Sequence, residues 1–166
     1  MRIAALCLAV AFGTGYDKAT CPVDKKTFDV KDDTLRIGVN AGAVHFCGEA
    51  CQKAFAKEPE KFLDRNIVGT CVIMKRKSAK VNSKYRFVVN NALVYVCCNE
   101  CLDNFPKSPW KYCGQVADPV DRKAFQPAED SPSSKVGAQT YYFSSKENKA
   151  AFDKEQAKYV IPFGAK

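Results

Sequence analysis

The chain has one histidine, His45, and so has little of the side chain that most often moves protons near neutral pH. It has no glycine-rich loop of the phosphate-cradling kind, and neither a nucleophile paired with a base nor a pair of carboxylates stands out from ordinary surface charge. These absences point away from an enzyme. No stretch of eighteen or more apolar residues is present, so nothing has the length of a membrane-spanning helix. Acidic residues are outnumbered, 18 against 26 Lys and Arg, leaving a net charge of +8. The densest basic run, Lys75-Arg76-Lys77, carries no interleaved aromatic on which a base would stack, and it reads as a solvated loop and not as a nucleic-acid surface.

Cysteine is what the chain has in excess, with nine in 166 residues. Arg2, the apolar run 3–12 and the small residues Gly13 and Gly15 predict a secretory signal over residues 1–15, and hence a secreted or periplasmic protein. Leu6 beside Cys7, with too little apolar sequence ahead of it, argues against a lipid anchor there. Removal of the signal would leave eight cysteines. Eight permit disulfides, metal sites or both, and a disulfide-stabilised structural or interaction module is the reading that competes with metal binding.

An internal repeat organises the rest. Cys21, Cys71 and Asp118 open related segments, CPVD, CVIM and DPVD. Cys47 lies 26 positions after Cys21 and Cys51 another 4 on; Cys97 and Cys101 follow Cys71 on the same spacing. Asp118, Ser144 and Asn148 keep that spacing without cysteine. Phe55, Phe105 and Phe152 form one aromatic column, which reads as core packing, and Phe62, Tyr112 and Tyr159 repeat in another. The expected division is a first module over 20–66, a second over 69–115 and a third over 116–162. Each is read as a β-hairpin followed by one helix, with strands at 35–39 and 43–46 in the first copy, 85–89 and 93–96 in the second, and 140–143 in the third. The helices are expected over 48–57, 98–107 and 145–154, the first two ending near Pro59 and Pro109. The Pro- and Ser-rich stretch 126–139 reads as a mobile loop.

The spacing has a chemical use. Two cysteines one helical turn apart share a face, and a helix start favours thiolate over thiol. The third cysteine arrives from a turn, so closing the set pins turn to helix in a module too small to bury a secure core. Asp24, three positions after Cys21, would complete a zinc-compatible set of three thiolates and a carboxylate. Met74 holds that place in the second copy; a thioether there would tilt the site toward Cu+, although plain packing explains it equally well. Cys98 offers an alternative to Cys97, because Cys98 and Cys101 form a knuckle of their own, and Cys98 also has Cys113 as a candidate disulfide partner. The repeat favours Cys97.

The CPVD turn, the hairpin ending VHFCGEAC and the following QKAFAKEPEKFL resemble the YHS family, within the wider group of TRASH-like treble-clef metal modules. The third copy, from DPVD through YYFSSKENKAAFDKEQAKYV, resembles that family's cysteine-free branch. The resemblance implies an α+β protein of three small tandem treble-clef or zinc-ribbon-like modules. It also implies a non-catalytic role in heavy-metal binding, sensing, trafficking or tolerance, with Zn2+ or Cu+ in two sites. Many family members have a cysteine where this chain has Asp24, Met74 and Asp121. His45 aligns with Tyr95 and Tyr142, a column of strand packing. The third copy is expected to cap the array or to meet a protein partner.

Overall fold

The computed structural model describes residues 18–40 and 42–164. The expected signal segment lies outside them. The architecture is α+β, and a hairpin followed by a helix occurs three times along it. In the first unit, β1 (Lys18–Thr20) and β2 (Thr27–Asp29) flank the CPVD turn, β3 (Arg36–Val39) and β4 (Gly42–His45) make the hairpin, and α1 (Glu49–Lys57), α2 (Pro59–Phe62) and α3 (Arg65–Val68) follow. The second has a single bridge, Thr70 to Ser78, in place of the small flanking ladder. Its hairpin is β5 (Arg86–Val89) and β6 (Ala92–Tyr95), and its helices are α4 (Asn99–Asn104) and α5 (Pro109–Tyr112). The third repeats the first, with β7 (Val116–Ala117), β8 (Ala124–Phe125), β9 (Ser133–Val136), β10 (Gln139–Tyr142), α6 (Lys146–Lys154) and α7 (Gln156–Tyr159).

Proline punctuates these helices. The residue before a proline is pushed out of helical geometry, and a proline is well placed at a helix start. Glu58 and Ser108 accordingly take non-helical angles, and Pro59 and Pro109 open the short helices α2 and α5, which sequence reading had not separated out. Pro106 has a further effect. Lacking an N–H, it cannot continue the hydrogen-bond ladder, and α4 gives way after Asn104 to a tighter turn over Phe105–Lys107, whereas α1 and α6 run nine residues.

The three hairpins join edge to edge into one six-stranded sheet, in the order β4-β3-β6-β5-β10-β9. The first strand of each hairpin pairs in parallel with the second strand of the next: β3 with β6 at Val39–Leu93, and β5 with β10 at Val88–Gln139 and Val89–Thr140. These parallel contacts are only one and two residues long, and a turn asparagine extends each of them. Asn40 and Asn90 sit in the left-handed region at φ 46° and 48°, which asparagine tolerates better than most residues. The Asn40 side chain donates to the carbonyls of Thr70 (2.7 Å) and Tyr95 (3.2 Å) and accepts from the Tyr95 amide (2.7 Å). Asn90 does the same to Ala117 (3.0 Å) and to both backbone groups of Tyr142 (2.7 and 2.8 Å). Each carboxamide thus acts as an added strand residue, clipping one unit to the next. At the aligned place the third unit has Gly137, φ 58°, with no side chain to extend the series.

Cores are shared in the same direction. The first contains Phe46 and Phe55 together with Ala79, Val88, Leu93 and Tyr95 of the second unit; the second contains Phe105 with Val116 and Tyr142 of the third. Phe55, Phe105 and Phe152 are all buried, as their column suggested, and each meets the next aromatic column at 6.1, 6.3 and 5.9 Å between ring centroids. The third core is small, centred on Tyr141, Phe143 and Phe152. The chain end then returns to the first unit. Ile161 and Phe163 pack on its core, and the Gly164 amide donates to the Ala56 carbonyl at 2.9 Å. A Cβ at Gly164 would lie 2.0 Å from the Lys57 carbonyl oxygen, so this close approach requires glycine. Arg86, 2% exposed, joins the same region by pairing with Glu60 at 2.9 Å; Glu60 also accepts from the Tyr95 hydroxyl at 2.9 Å.

One expectation is corrected. Residues 126–139 are not a loop throughout, because Ser133–Val136 forms β9, paired antiparallel along β10. As an edge strand with no large core side chain, β9 shows little apolar alternation in the sequence.

The clips predict a stability effect. Asn40→Ala and Asn90→Ala would each leave buried or half-buried backbone groups without partners and should each cost about 1–3 kcal/mol in urea denaturation. A change well below that in both variants would show that the parallel pairing and shared cores hold the units without the carboxamides.

Candidate metal centres

The CPVD turn is built to present a sulfur. Lys25, at φ 64°, lets the chain reverse; its amide donates to the Cys21 carbonyl at 3.0 Å, and the Cys21 amide donates to the Lys26 carbonyl at 2.8 Å. Asp24 braces the turn by accepting from the Lys26 amide through one carboxylate oxygen, at 3.1 Å. Its other oxygen accepts from the Cys47 thiol at 3.0 Å, and the Cys47 and Cys51 sulfurs are 3.6 Å apart at the start of α1. Cys21, Asp24, Cys47 and Cys51 form one group whose donor atoms all lie within 4.8 Å of one another. Thiolates held 2.3 Å from a tetrahedral centre are about 3.8 Å apart, so the observed separation suits a shared ion.

The second group is Cys71, Cys97 and Cys101, again within 4.8 Å, with Cys101 at 3.8 Å from each of the other two. Its surroundings differ. All three cysteines are buried, whereas in the first group Asp24 and Cys47 are exposed and Cys51 is intermediate. The turn carrying Cys71 is one residue longer, closing from the Cys71 amide to the Lys77 carbonyl at 2.9 Å. Met74 contributes its backbone amide to the Cys71 sulfur at 3.4 Å, while its side chain packs at the margin of the second core. The basic residues Lys75, Arg76 and Lys77 are exposed on this turn.

Protonation differs within each group. Burial alone would raise the Cys21 thiol, but the backbone amides of Asp24, Cys47 and Val23 outweigh it and hold its pKa below the ordinary value. Cys71 behaves alike: burial opposes ionisation, and the Met74 and Ile73 amides overcome it. The partners move the other way. Hydrogen bonding to Asp24, with some desolvation, pushes Cys47 up to about 12, while the same bond brings Asp24 down to about 2. Burial raises Cys97 and Cys101. Each turn therefore eases ionisation of its own cysteine, while the cysteines at the helix start hold their protons more firmly, and an ion would have to displace them.

The cysteines that the repeat aligns lie together in both groups, and three further details are visible beside them. Cys98 lies outside the group of three but has its sulfur 3.5 Å from Cys101, beside the site. It is not paired with Cys113, whose thiol faces the Trp110 and Gly114 carbonyls at the end of α5. His45 is in β4 opposite Arg36 and belongs to neither group; burial, then the Arg36 charge, lowers its pKa. What the sequence reading missed is the asparagine clip. Asn40 grips Thr70 and Tyr95, one residue before Cys71 and two before Cys97, so the first unit holds both chain segments that deliver sulfurs to the second group. The signal was there in Asn40, Asn90 and Gly137, aligned at one turn position.

In the third unit the same positions close without sulfur. Asp118, fully buried, accepts through one oxygen from the Ser144 amide (2.8 Å), the Ser144 hydroxyl (2.9 Å) and the Asn148 side chain (3.0 Å), and through the other from the Val120 amide (2.9 Å). The carboxylate is a hydrogen-bonded node between turn and helix, in the place where the other units gather thiols. Burial opposes its charge, but these donors lower its pKa overall. A group that binds fewer protons folded than unfolded stabilises the fold above its unfolded pKa, and that contribution disappears as pH falls through the lower, folded value.

Two outcomes follow for this unit. Asp118→Asn should reduce stability near neutral pH and flatten its decline on acidification, checked by denaturation across the acid range. The triple change D118C, S144C and N148C should add a third thiol group and raise zinc uptake by one equivalent; an unchanged stoichiometry in a folded variant would show that the backbone there is unsuited to an ion. Comparisons of the chain with protein-family models, with curated proteins and with solved structures gave no match.

Proposed function

We propose that this is a non-enzymatic metal-binding protein that carries one transition-metal ion, zinc or copper, in each of its two cysteine groups. The observation that carries the reading is the convergence, twice, of one turn cysteine, one cysteine just ahead of a helix and one in that helix's first turn to within 4.8 Å. Cysteine sulfur suits borderline and soft ions, and three thiols with or without a carboxylate supply the donors such an ion takes. The spacing within each copy supports treating the units as tandem YHS-like treble-clef modules, the third having exchanged its ligands for the Asp118 node. On this reading the protein is exported, serves metal binding, trafficking or tolerance, and uses its third module as a cap or a protein contact.

Elemental analysis of full-length protein purified without chelators tests the proposal. Two equivalents of zinc or copper per chain are expected, falling to one in Cys21→Ser and one in Cys71→Ser. Metal-free protein whose mass rises on reduction by the equivalent of three or four disulfides would establish the stapled alternative instead. Affinity should also fall with acid. Loading the first group must drive protons from its thiols, most firmly held on Cys47, so its affinity should fall steeply as pH drops. Asp24, already ionised above about pH 2, adds nothing to that slope. Competition titration with a chromophoric chelator measures it.

A further inference from the structure

The two groups are copies in spacing but not in chemistry. In the first, an exposed carboxylate supplies oxygen to a solvent-facing set, which suits a divalent ion seeking four donors. In the second, three buried sulfurs stand alone, and Met74 occupies the place of that carboxylate. An all-sulfur set enclosed by protein favours a soft ion content with few ligands. A fourth sulfur stands at its rim: Cys98, intermediate in exposure, 3.5 Å from the buried Cys101 sulfur and outside the group of three.

Cys98 is not there to start the helix. The aligned position is Gly48 in the first unit and Ser145 in the third, where the Ser145 hydroxyl accepts from the Asn148 amide at 3.1 Å. Both residues begin a nine-residue helix without sulfur. Cysteine appears at this position only beside the buried group, and its sulfur links solvent to that group through Cys101.

We propose that the second group takes a soft monovalent ion, Cu+ or Ag+, and that Cys98 is the ligand through which the ion enters and leaves. This rests on the metal-binding reading above. The ion arrives on a small carrier thiol. Cys98 forms a sulfur–metal bond as the carrier's bond breaks and the carrier leaves as free thiol; Cys101, with Cys71 and Cys97, then bonds the ion as Cys98 lets go. Protons displaced from the cysteines pass to the departing carrier and to water, and the ion stays monovalent throughout. A monovalent ion among three thiolates leaves two negative charges, offset by Lys75, Arg76 and Lys77 on the turn that delivers Cys71.

The test follows transfer of Cu+ from its glutathione complex to full-length protein under anaerobic conditions, by stopped-flow absorbance of the copper–thiolate charge-transfer band. Cys98→Ser and Cys98→Gly, each the residue found in a sister unit, should slow transfer by about tenfold or more, a barrier change of about 1.4 kcal/mol. Both should still reach full occupancy on long incubation, with the long-wavelength emission of solvent-shielded copper thiolate. Zinc retention by the first group reports that the fold is intact. Wild-type transfer rates in both variants would overturn the role of Cys98, and copper that remains bound after Cys71→Ser but not after Cys21→Ser would overturn the assignment of the soft ion to the second group. If neither group binds any metal, the underlying reading fails, a result distinct from both.

Discussion

Every unit of this chain must hold a tight turn against the start of a helix 26 positions later, and the rest of the structure depends on that tie. Apolar packing cannot supply it alone. The units are short, their fully buried aromatics are few, and the turn backbone itself is polar. The chain solves the problem with a concentrated polar node: sulfurs in the first two units, one carboxylate with hydroxyl and amide donors in the third. The third shows that the geometry does not require an ion once the central group is an acceptor and its neighbours are donors. In the first two units the central position is a cysteine whose pKa is lowered by backbone amides, beside cysteines whose pKa is raised, which leaves an arrangement an ion can take over by displacing protons.

The units are not independent beads. Parallel pairing between hairpins is short, and what lengthens it is a carboxamide that imitates a strand residue, borrowed from the preceding unit's turn. Because Asn40 grips the chain immediately before Cys71 and just before Cys97, order in the first unit bears directly on the second group's sulfurs. The reverse path also exists. The last residues return across the sheet to the first unit, and the Glu60–Arg86 pair lies beneath that crossing with Tyr95 bonded to the same carboxylate. A buried ion pair is weak evidence for stability in itself, but losing one partner would strand the other charge in the interior.

What the sequence disclosed was whatever its repeat preserved. Cys21, Cys47 and Cys51 share one register with Cys71, Cys97 and Cys101, and that register points to the cysteines that lie close together and to a hairpin followed by helix. What escaped was set by residues that break the repeat or act across it. Pro106 shortened α4 although Ala56 and Asp153 hold its place elsewhere, an effect of one missing N–H that periodicity does not register. Strand β9 was hidden because an exposed edge strand imposes no apolar alternation. The asparagine clips looked like ordinary turn residues, since a left-handed asparagine is explained locally and its long-range bonds are not visible in neighbouring residues.

The three units differ in how they are braced and in what gathers between turn and helix. A unit in the interior is braced by the asparagine of the unit before it and passes its own asparagine to the unit after. The second unit has both, and it is the one whose sulfurs are all buried. Neither asparagine clip reaches the first unit, and its group is open, with Asp24 serving the turn and the site at once. The third is braced by Asn90 but has Gly137 where the other two have the asparagine. Its small core is held by the Asp118 node and by Asn91, which bonds the Tyr159 carbonyl and the Ile161 amide where the chain turns back. A unit secured in that way needs no ion for its shape, and the positions aligned with the cysteines carry the hydrogen-bonded set instead.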